Sequence, residues 1–269
     1  MAQRLVGFSF VLCVSLLHTV AHGQYIIAHR GASYTAPENT LAAFRLAWAQ
    51  GADGIEGDFH LSADGRIVCI HDSDTERVAG KKLIVKKTTF EELRKLDVGS
   101  WKESKWSDER IPTLQEVLAT VPPGKRMFVE IKSGPQIVEP LIQELSNSSV
   151  PLECIAIISF KAQVIAACEE QLPELKTYWL TSYKQDESKQ WSPTADEVVS
   201  TMQRIHADGL GSKALPEHVN CSFFSTLRAG GISDFHVWTV DDRCLARTYR
   251  CYGAWAITTN RPDVLRCRF

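Results

Sequence analysis

Residues 25–61 read YIIAHRGASYTAPENTLAAFRLAWAQGADGIEGDFHL, and their alternation sets the fold class. The run YIIAH (25–29) is short and apolar, and predicts a strand. From 39 to 51 the apolar residues recur at helical spacing, with Thr40 near the start and Gly51 as a stop signal. DGIEGDFHL (53–61) then predicts a second strand. The same rhythm continues downstream. Strands are expected at 65–72, 126–132, 153–160, 176–182, 207–212, 234–240 and 254–260, and helices at 136–146, 161–171, 194–205, 216–229 and 241–251. Apolar strands separated by helices belong to a buried parallel sheet. The length fits a closed barrel of eight strand–helix units, a (β/α)8 α/β fold. Nine strand candidates are one too many. Either 65–70 is a hairpin partner outside the barrel, or a weak candidate such as 207–210 is not a strand.

The start of the chain has another character. Arg4 precedes the apolar run LVGFSFVLCVSLL (5–17), and Ala21-His22-Gly23 offers small residues around a cleavage point. This pattern predicts a signal peptide over 1–23, a folded domain over 24–269, and a secreted or periplasmic product. The run is shorter than the ~20 residues a membrane span needs, and no later stretch is long enough, so no stable span is expected. Without Arg4, 29 of the 30 basic residues remain against 32 acidic ones, a net charge of −3. That balance lacks the strongly basic face of a nucleic-acid binder. Seven cysteines follow the leader, none in a C-x-x-C arrangement. Cys69 and Cys154 lie in apolar runs and read as buried thiols. Cys221, Cys244, Cys251 and Cys267 are the better disulfide candidates.

Residues 73–112 break the rhythm. They are polar and Lys-rich, with one short helical signal, TFEELRKL, and two tryptophans, Trp101 and Trp106. So long a connection predicts a small packed insertion after the third strand, beside the barrel mouth.

The chemistry-bearing residues fall at strand ends. Positions i and i+2 of a strand share a face, so Glu56 pairs with Asp58 and Glu130 with Lys132. His29 and Arg30 end the first strand, and His71 ends the third. In a barrel of this kind the strand C-termini converge on one mouth. Three carboxylates suit a hard divalent cation, Mg²⁺ or Ca²⁺, better than zinc. Arg30 and Lys132 could hold a phosphate. Two histidines could divide acid and base duties in one displacement. Together the set describes phosphoryl transfer better than acyl transfer. Charges set in apolar runs are costly unless they serve a purpose. His60 is read as facing away from Glu56 and Asp58, and His206, His218 and His236 as isolated. Gly31 is read as giving close backbone approach or a positive φ, and Asn39 or Thr40 as the first helix cap.

The segments AHRGASYTAPENT, GIEGDFHLSADGRIVCIHDSDTERVAG, IPTLQEVL, FVEIK, HVWTV and ITTNRPD occur in the order found in glycerophosphodiester phosphodiesterases. From about 25 to 264 the chain resembles that family. The resemblance implies a TIM barrel with a small insertion, acting on a small-molecule glycerophosphodiester to release sn-glycerol 3-phosphate and an alcohol. It implies His29 and His71 as the acid/base pair, and Glu56, Asp58 and Glu130 as ligands of one divalent cation. Arg30 and Lys132 would contact phosphate, and Trp238 would line the substrate pocket. Glu38 would support the site from behind. One departure stands out: the family's last motif usually carries Asp where this chain has Asn260. That change is expected to affect a late-barrel structural or rim contact rather than the metal ligands.

Three other readings follow from the same residues. A phospholipase D-type enzyme on lysophospholipids or sphingomyelin would need an apolar wall at the mouth, which Trp101 and Trp106 could supply. A glycosidase would use Glu56 and Glu130 but leaves both histidines and Arg30 without a role. An inactive secreted binding module would have no reason to keep the whole set.

Overall fold

Eight parallel strands close into a ring in the computed structural model, which describes residues 24–266. The strands are β1 (Tyr25–His29), β2 (Gly54–Leu61), β3 (Ile67–Cys69), β4 (Arg126–Ile131), β5 (Ile155–Ser159), β6 (Lys176–Thr181), β7 (Lys184–Gln185), β8 (Trp191–Ser192), β9 (Gly209–Lys213), β10 (Phe235–Trp238) and β11 (Ala256–Thr259). The barrel runs β1-β2-β4-β5-β6-β9-β10-β11, and β11 returns to β1 with Tyr25 opposite Ala256. The surplus strand candidate is resolved. β3 pairs antiparallel with β2 outside the ring, Phe59 opposite Cys69, while the weak candidate at 207–210 contributes to β9. The short β7–β8 hairpin, two residues a side, lacks the apolar run that would have announced it.

Residue alternation explains the closure. Ile55, Phe59, Val129 and Ile157 point outward and pack against the helices. Ile27, Phe128, Ala156, Ile158, Tyr178, Leu180 and Ala256 fill the barrel interior. Burial on both faces matches the continuous apolar runs of the sequence. The helices are α1 (Leu41–Ala49), α2 (Glu76–Ala79), α3 (Phe90–Arg94), α4 (Leu114–Leu118), α5 (Val138–Ser146), α6 (Ala162–Gln171), α7 (Ala195–Ile205), α8 (Cys221–Ala229), α9 (Arg243–Cys251) and α10 (Pro262–Arg266). Thr40, not Asn39, caps α1, accepting from the Ala43 N–H at 3.2 Å. Thr194 and Glu197 form a capping box on α7. α8 starts later than 216 because Asn220 caps it.

The insertion is packed. Val78, Val85, Leu93, Val98 and Ile111 form a small core against Val68 and Ile70. No helix among the described residues is long and apolar enough to cross a membrane. Residues 1–23, where a signal peptide is expected, and Cys267 lie outside the described residues. The disulfide expectation is corrected: Cys221, Cys244 and Cys251 are free and exposed, each on a helix. Cys69 is buried as expected, but Cys154 is only half-buried.

Candidate active site

Strand register brings the carboxylates together. His29 stands opposite Glu56 across β1–β2, and Asp58 stands opposite Glu130 across β2–β4. Carboxylate oxygens of Glu56, Asp58 and Glu130 lie within 4.8 Å of one another, and all three residues are buried. Lys132, just past β4, puts its Nζ 2.7 Å from Glu130 Oε1 and 3.4 Å from Asp58 Oδ1. Arg30 Nε lies 3.1 Å from Asp58 Oδ2. Three negative groups against two positive ones leave one net negative charge in a largely buried site.

That imbalance shows in the acidities. Burial, then the crowding of Asp58 and Glu130, raises the Glu56 carboxyl well above its usual range. Burial and Asp58 push Glu130 up to about 7. Burial opposes ionisation of Asp58 too, but Arg30 and Lys132 outweigh it and hold that carboxyl well below its usual range. Among the described residues Glu56 Oε1 and Asp58 Oδ1 are buried with no hydrogen-bond partner, and Asp58 Oδ1 keeps only its ion pair with Lys132. Unpaired buried acceptors are rare, so such oxygens within a crowded acidic trio fit a hard divalent cation. A divalent cation would turn the net charge from −1 to +1, the complement of a phosphodiester monoanion.

The two imidazoles face the same cavity, of about 220 Å³. Its walls include His29, Arg30, Glu56, His71, Glu130, Lys132 and Trp238, seven of the nine residues singled out from sequence. Asp58 lies behind them, fully buried. Trp238 is anchored by its indole N–H to the Gly211 carbonyl at 3.0 Å and meets Phe160 edge to face at 5.3 Å. Glu38 stands one layer back. Its Oε1 accepts from Arg30 at 3.0 Å and from Arg77 at 2.7 Å. Arg77 also donates to Asp72 at 2.6 Å, and Asp72 lies 2.7 Å from His71 Nδ1. A continuous polar chain therefore joins Asp58 to His71 through Arg30, Glu38, Arg77 and Asp72. Gly31 has φ +78°, and a Cβ there would fall 2.5 Å from the Ala43 carbonyl carbon. The tight turn that aims Arg30 inward requires glycine.

Asn260 is more than a rim contact, which corrects the expectation. Its Oδ1 lies 2.7 Å from His29 Nδ1, and its Nδ2 donates to Asp241 Oδ2 at 2.8 Å. An ionised carboxylate only accepts, so Asp241 fixes the amide orientation. The amide oxygen then faces His29, Nδ1 carries the proton, and Nε2 is left as an acceptor. Burial, then the charge of Arg30, lowers the His29 pKa to about 4, which keeps the ring neutral near pH 7.

Sequence reasoning missed other contributors. Asn39 binds Asp58 twice, donating to Oδ2 at 2.8 Å and accepting from its N–H at 3.1 Å. Its φ of +58° was the only local trace of that role, and composition does not reveal it. His236, read as isolated, lines the cavity floor with Thr258. It is fully buried between Phe128 and Tyr178, and neither ring nitrogen has a hydrogen-bond partner among the described residues. His60 shares the parity of Glu56 and Asp58, contrary to expectation. It lies past the cavity, its Nε2 3.1 Å from the His71 carbonyl. Trp101 lines a groove of about 380 Å³ beside His29 and Arg30, with Tyr34 and Asn260. Trp106 is not among the residues lining that groove.

Comparison with known proteins gives the same picture. The model of the Glycerophosphoryl diester phosphodiesterase family matches residues 29–264. The YhdW protein of Bacillus subtilis (strain 168) is 34% identical over 250 residues, 90% of this chain and 96% of that protein. A glycerophosphodiester phosphodiesterase of the same organism is 28% identical over 255 residues, 88% of this chain and 84% of that one. The solved structure of an Oleispira antarctica phosphodiesterase in complex with the product sn-glycerol-3-phosphate superposes with a TM-score of 0.77. It is 26% identical and covers 90% of this chain and 95% of that chain. The family match over residues 29–264 and the 34% identity to a relative covered almost end to end show that the chain belongs to the glycerophosphoryl diester phosphodiesterase family.

Proposed function

We propose that the protein hydrolyses glycerophosphodiesters to sn-glycerol 3-phosphate and an alcohol, acting outside the cytoplasm. The observation that carries this is the meeting of two imidazoles, an acidic trio and two cations around one cavity. A divalent cation held by Glu56, Asp58 and Glu130, Mg²⁺ or Ca²⁺, would draw charge from the phosphoryl oxygens. Arg30 and Lys132 orient and neutralise the phosphate. His29, with its free Nε2, accepts the proton of the attacking hydroxyl, which belongs to water or to the neighbouring glycerol carbon; in the second case a cyclic phosphate forms as the alcohol leaves, and a water molecule then opens it to sn-glycerol 3-phosphate. His71, its Nδ1 held by Asp72, gives a proton to the departing alcohol oxygen. Trp238 and the apolar wall at Ile158, Phe160 and Leu180 shelter the carbon chain. Export is supported by the leader pattern of residues 1–23.

The test is release of sn-glycerol 3-phosphate from glycerophosphocholine and glycerophosphoethanolamine, with and without EDTA, followed by Mg²⁺ or Ca²⁺. Hydrolysis that EDTA abolishes and one cation restores supports the reading. Hydrolysis indifferent to EDTA refutes the role of the acidic trio. A phospholipase D-type alternative predicts turnover of lysophosphatidylcholine instead, and the groove at Tyr34 and Trp101, which are 59% and 41% exposed, is the place for an acyl chain.

A further inference from the structure

The mouth carries a second opening that the reaction does not use. A groove of about 500 Å³ runs between the insertion and the loop from β4 to α5. Lys86, Lys132, Lys161 and His60 face it, with Ser133 and Gln136 as neutral donors, and among the described residues no carboxylate lines it. It starts at the reaction centre, because Lys132 lines both spaces and His60 Nε2 lies 3.1 Å from the His71 carbonyl. Three of the seven lysines of the insertion have acidic partners: Lys82 with Glu76, Lys95 with Glu91, Lys105 with Glu103. Lys86 is exposed and has no such partner among the described residues. Lys132 is already paired with Glu130 and Asp58, and burial lowers the His60 pKa, so Lys86 and Lys161, which have no acidic partner among the described residues, are the cations that raise the potential of the groove and favour an anion there.

The inner cavity, about 220 Å³, falls below the ~300–1,000 Å³ of pockets that enclose a whole small molecule. One half of a diester fits inside, and the other half must leave by the mouth. We propose that the basic groove binds a second phosphate, carried on the alcohol half of the diester. The preferred substrate would be a glycerophosphodiester whose leaving alcohol is itself a phosphate ester. This rests on the hydrolysis proposed above.

Two diesters test it: glycerophosphoglycerol, and the same molecule with a terminal phosphate monoester on the leaving glycerol. The expected result is a KM about tenfold lower for the phosphorylated diester at low salt, with similar kcat. That advantage disappears at about 0.5 M salt. It also disappears in a Lys86→Ala/Lys161→Gln protein whose KM for the unphosphorylated diester is unchanged. Inorganic phosphate separates a substrate subsite from an effector site. Lysine-dependent competition with the phosphorylated diester alone supports the proposal, and a lysine-dependent change in kcat for the unphosphorylated diester overturns it. Equal KM values for the two diesters also overturn it. If neither diester is hydrolysed, the reading of the activity fails instead. Calorimetry with pyrophosphate then decides the groove: binding lost in the double variant supports it, and no binding, or binding unchanged in the variant, overturns it.

Discussion

Exchanging Asn260 and Asp241 probes the polar chain behind His29. Asn260 Nδ2 and Asp241 Oδ2 are 2.8 Å apart, and Asp241 also accepts from the Asn260 N–H at 2.7 Å and the Thr259 hydroxyl at 2.8 Å. Asn260→Asp sets a second carboxylate against the first. Two unit charges at that distance repel by about 1.5 kcal/mol even at a water-like dielectric. The lost charge-assisted hydrogen bond adds about 1.5 kcal/mol, the low end of its range because Asp241 is exposed. The single variant should therefore unfold in urea with about 3 kcal/mol less stability, and its kcat should fall about tenfold or more as repulsion from Asp241 turns the new carboxylate, and His29 with it, out of position. Adding Asp241→Asn reverses the polarity of the pair. The new amide at 241 donates to the new carboxylate at 260, which still accepts from His29 Nδ1. The double variant should recover all but about 1 kcal/mol, a coupling of about 2 kcal/mol or more in a double-mutant cycle. Urea unfolding and turnover of one glycerophosphodiester, measured on all four proteins, give the answer. Costs that simply add in the double variant would refute the reasoning.

His29→Ala and His71→Ala should each lower kcat at least about a hundredfold with the fold intact by circular dichroism, and near-native turnover in either rejects the acid/base roles. His236 is held neutral because burial lowers its pKa from 6.5 to about 3. Between those values the unfolded chain takes up a proton that the folded one refuses, so stability falls as pH drops below 6.5, by about 1.4 kcal/mol per pH unit. His236→Phe removes that uptake, so its stability loss between about pH 7 and about pH 4.5 should be roughly 2–3 kcal/mol smaller than that of the native chain. Parallel urea curves for the two proteins across that range would contradict it. Gly31→Ala should destabilise by about 2–4 kcal/mol, since it adds a Cβ at positive φ against the Ala43 backbone. An unchanged melting temperature would show that the turn relaxes.

Much of this architecture was legible because strand period and strand ends carry so much information. Parity placed Glu56 and Asp58 on one face, and the barrel's convergence placed Glu130, His29 and His71 beside them. What escaped depends on contacts between distant segments. Asn260 reaches His29 across 231 positions of sequence, and Arg77 reaches Glu38 across 39. No local pattern encodes such pairs. Asn39 looked like a helix cap because Asn favours caps, and only its left-handed backbone turns its amide toward Asp58. His236 looked ordinary because an apolar strand residue with an imidazole has no motif. Its role emerges from burial without partners. The cysteines after 220 looked like staples, but helices α8 and α9 present Cys221, Cys244 and Cys251 to solvent as free thiols.

The central claim is that Glu56, Asp58 and Glu130 hold one divalent cation at the cavity. Titration of the metal-free protein with Mn²⁺, followed by electron paramagnetic resonance, tests this without relying on turnover. The account predicts one bound ion per native chain, and none at the same concentrations in a folded Glu56→Gln/Glu130→Gln protein. Absence of binding to the native chain, or equal binding to both proteins, would contradict it.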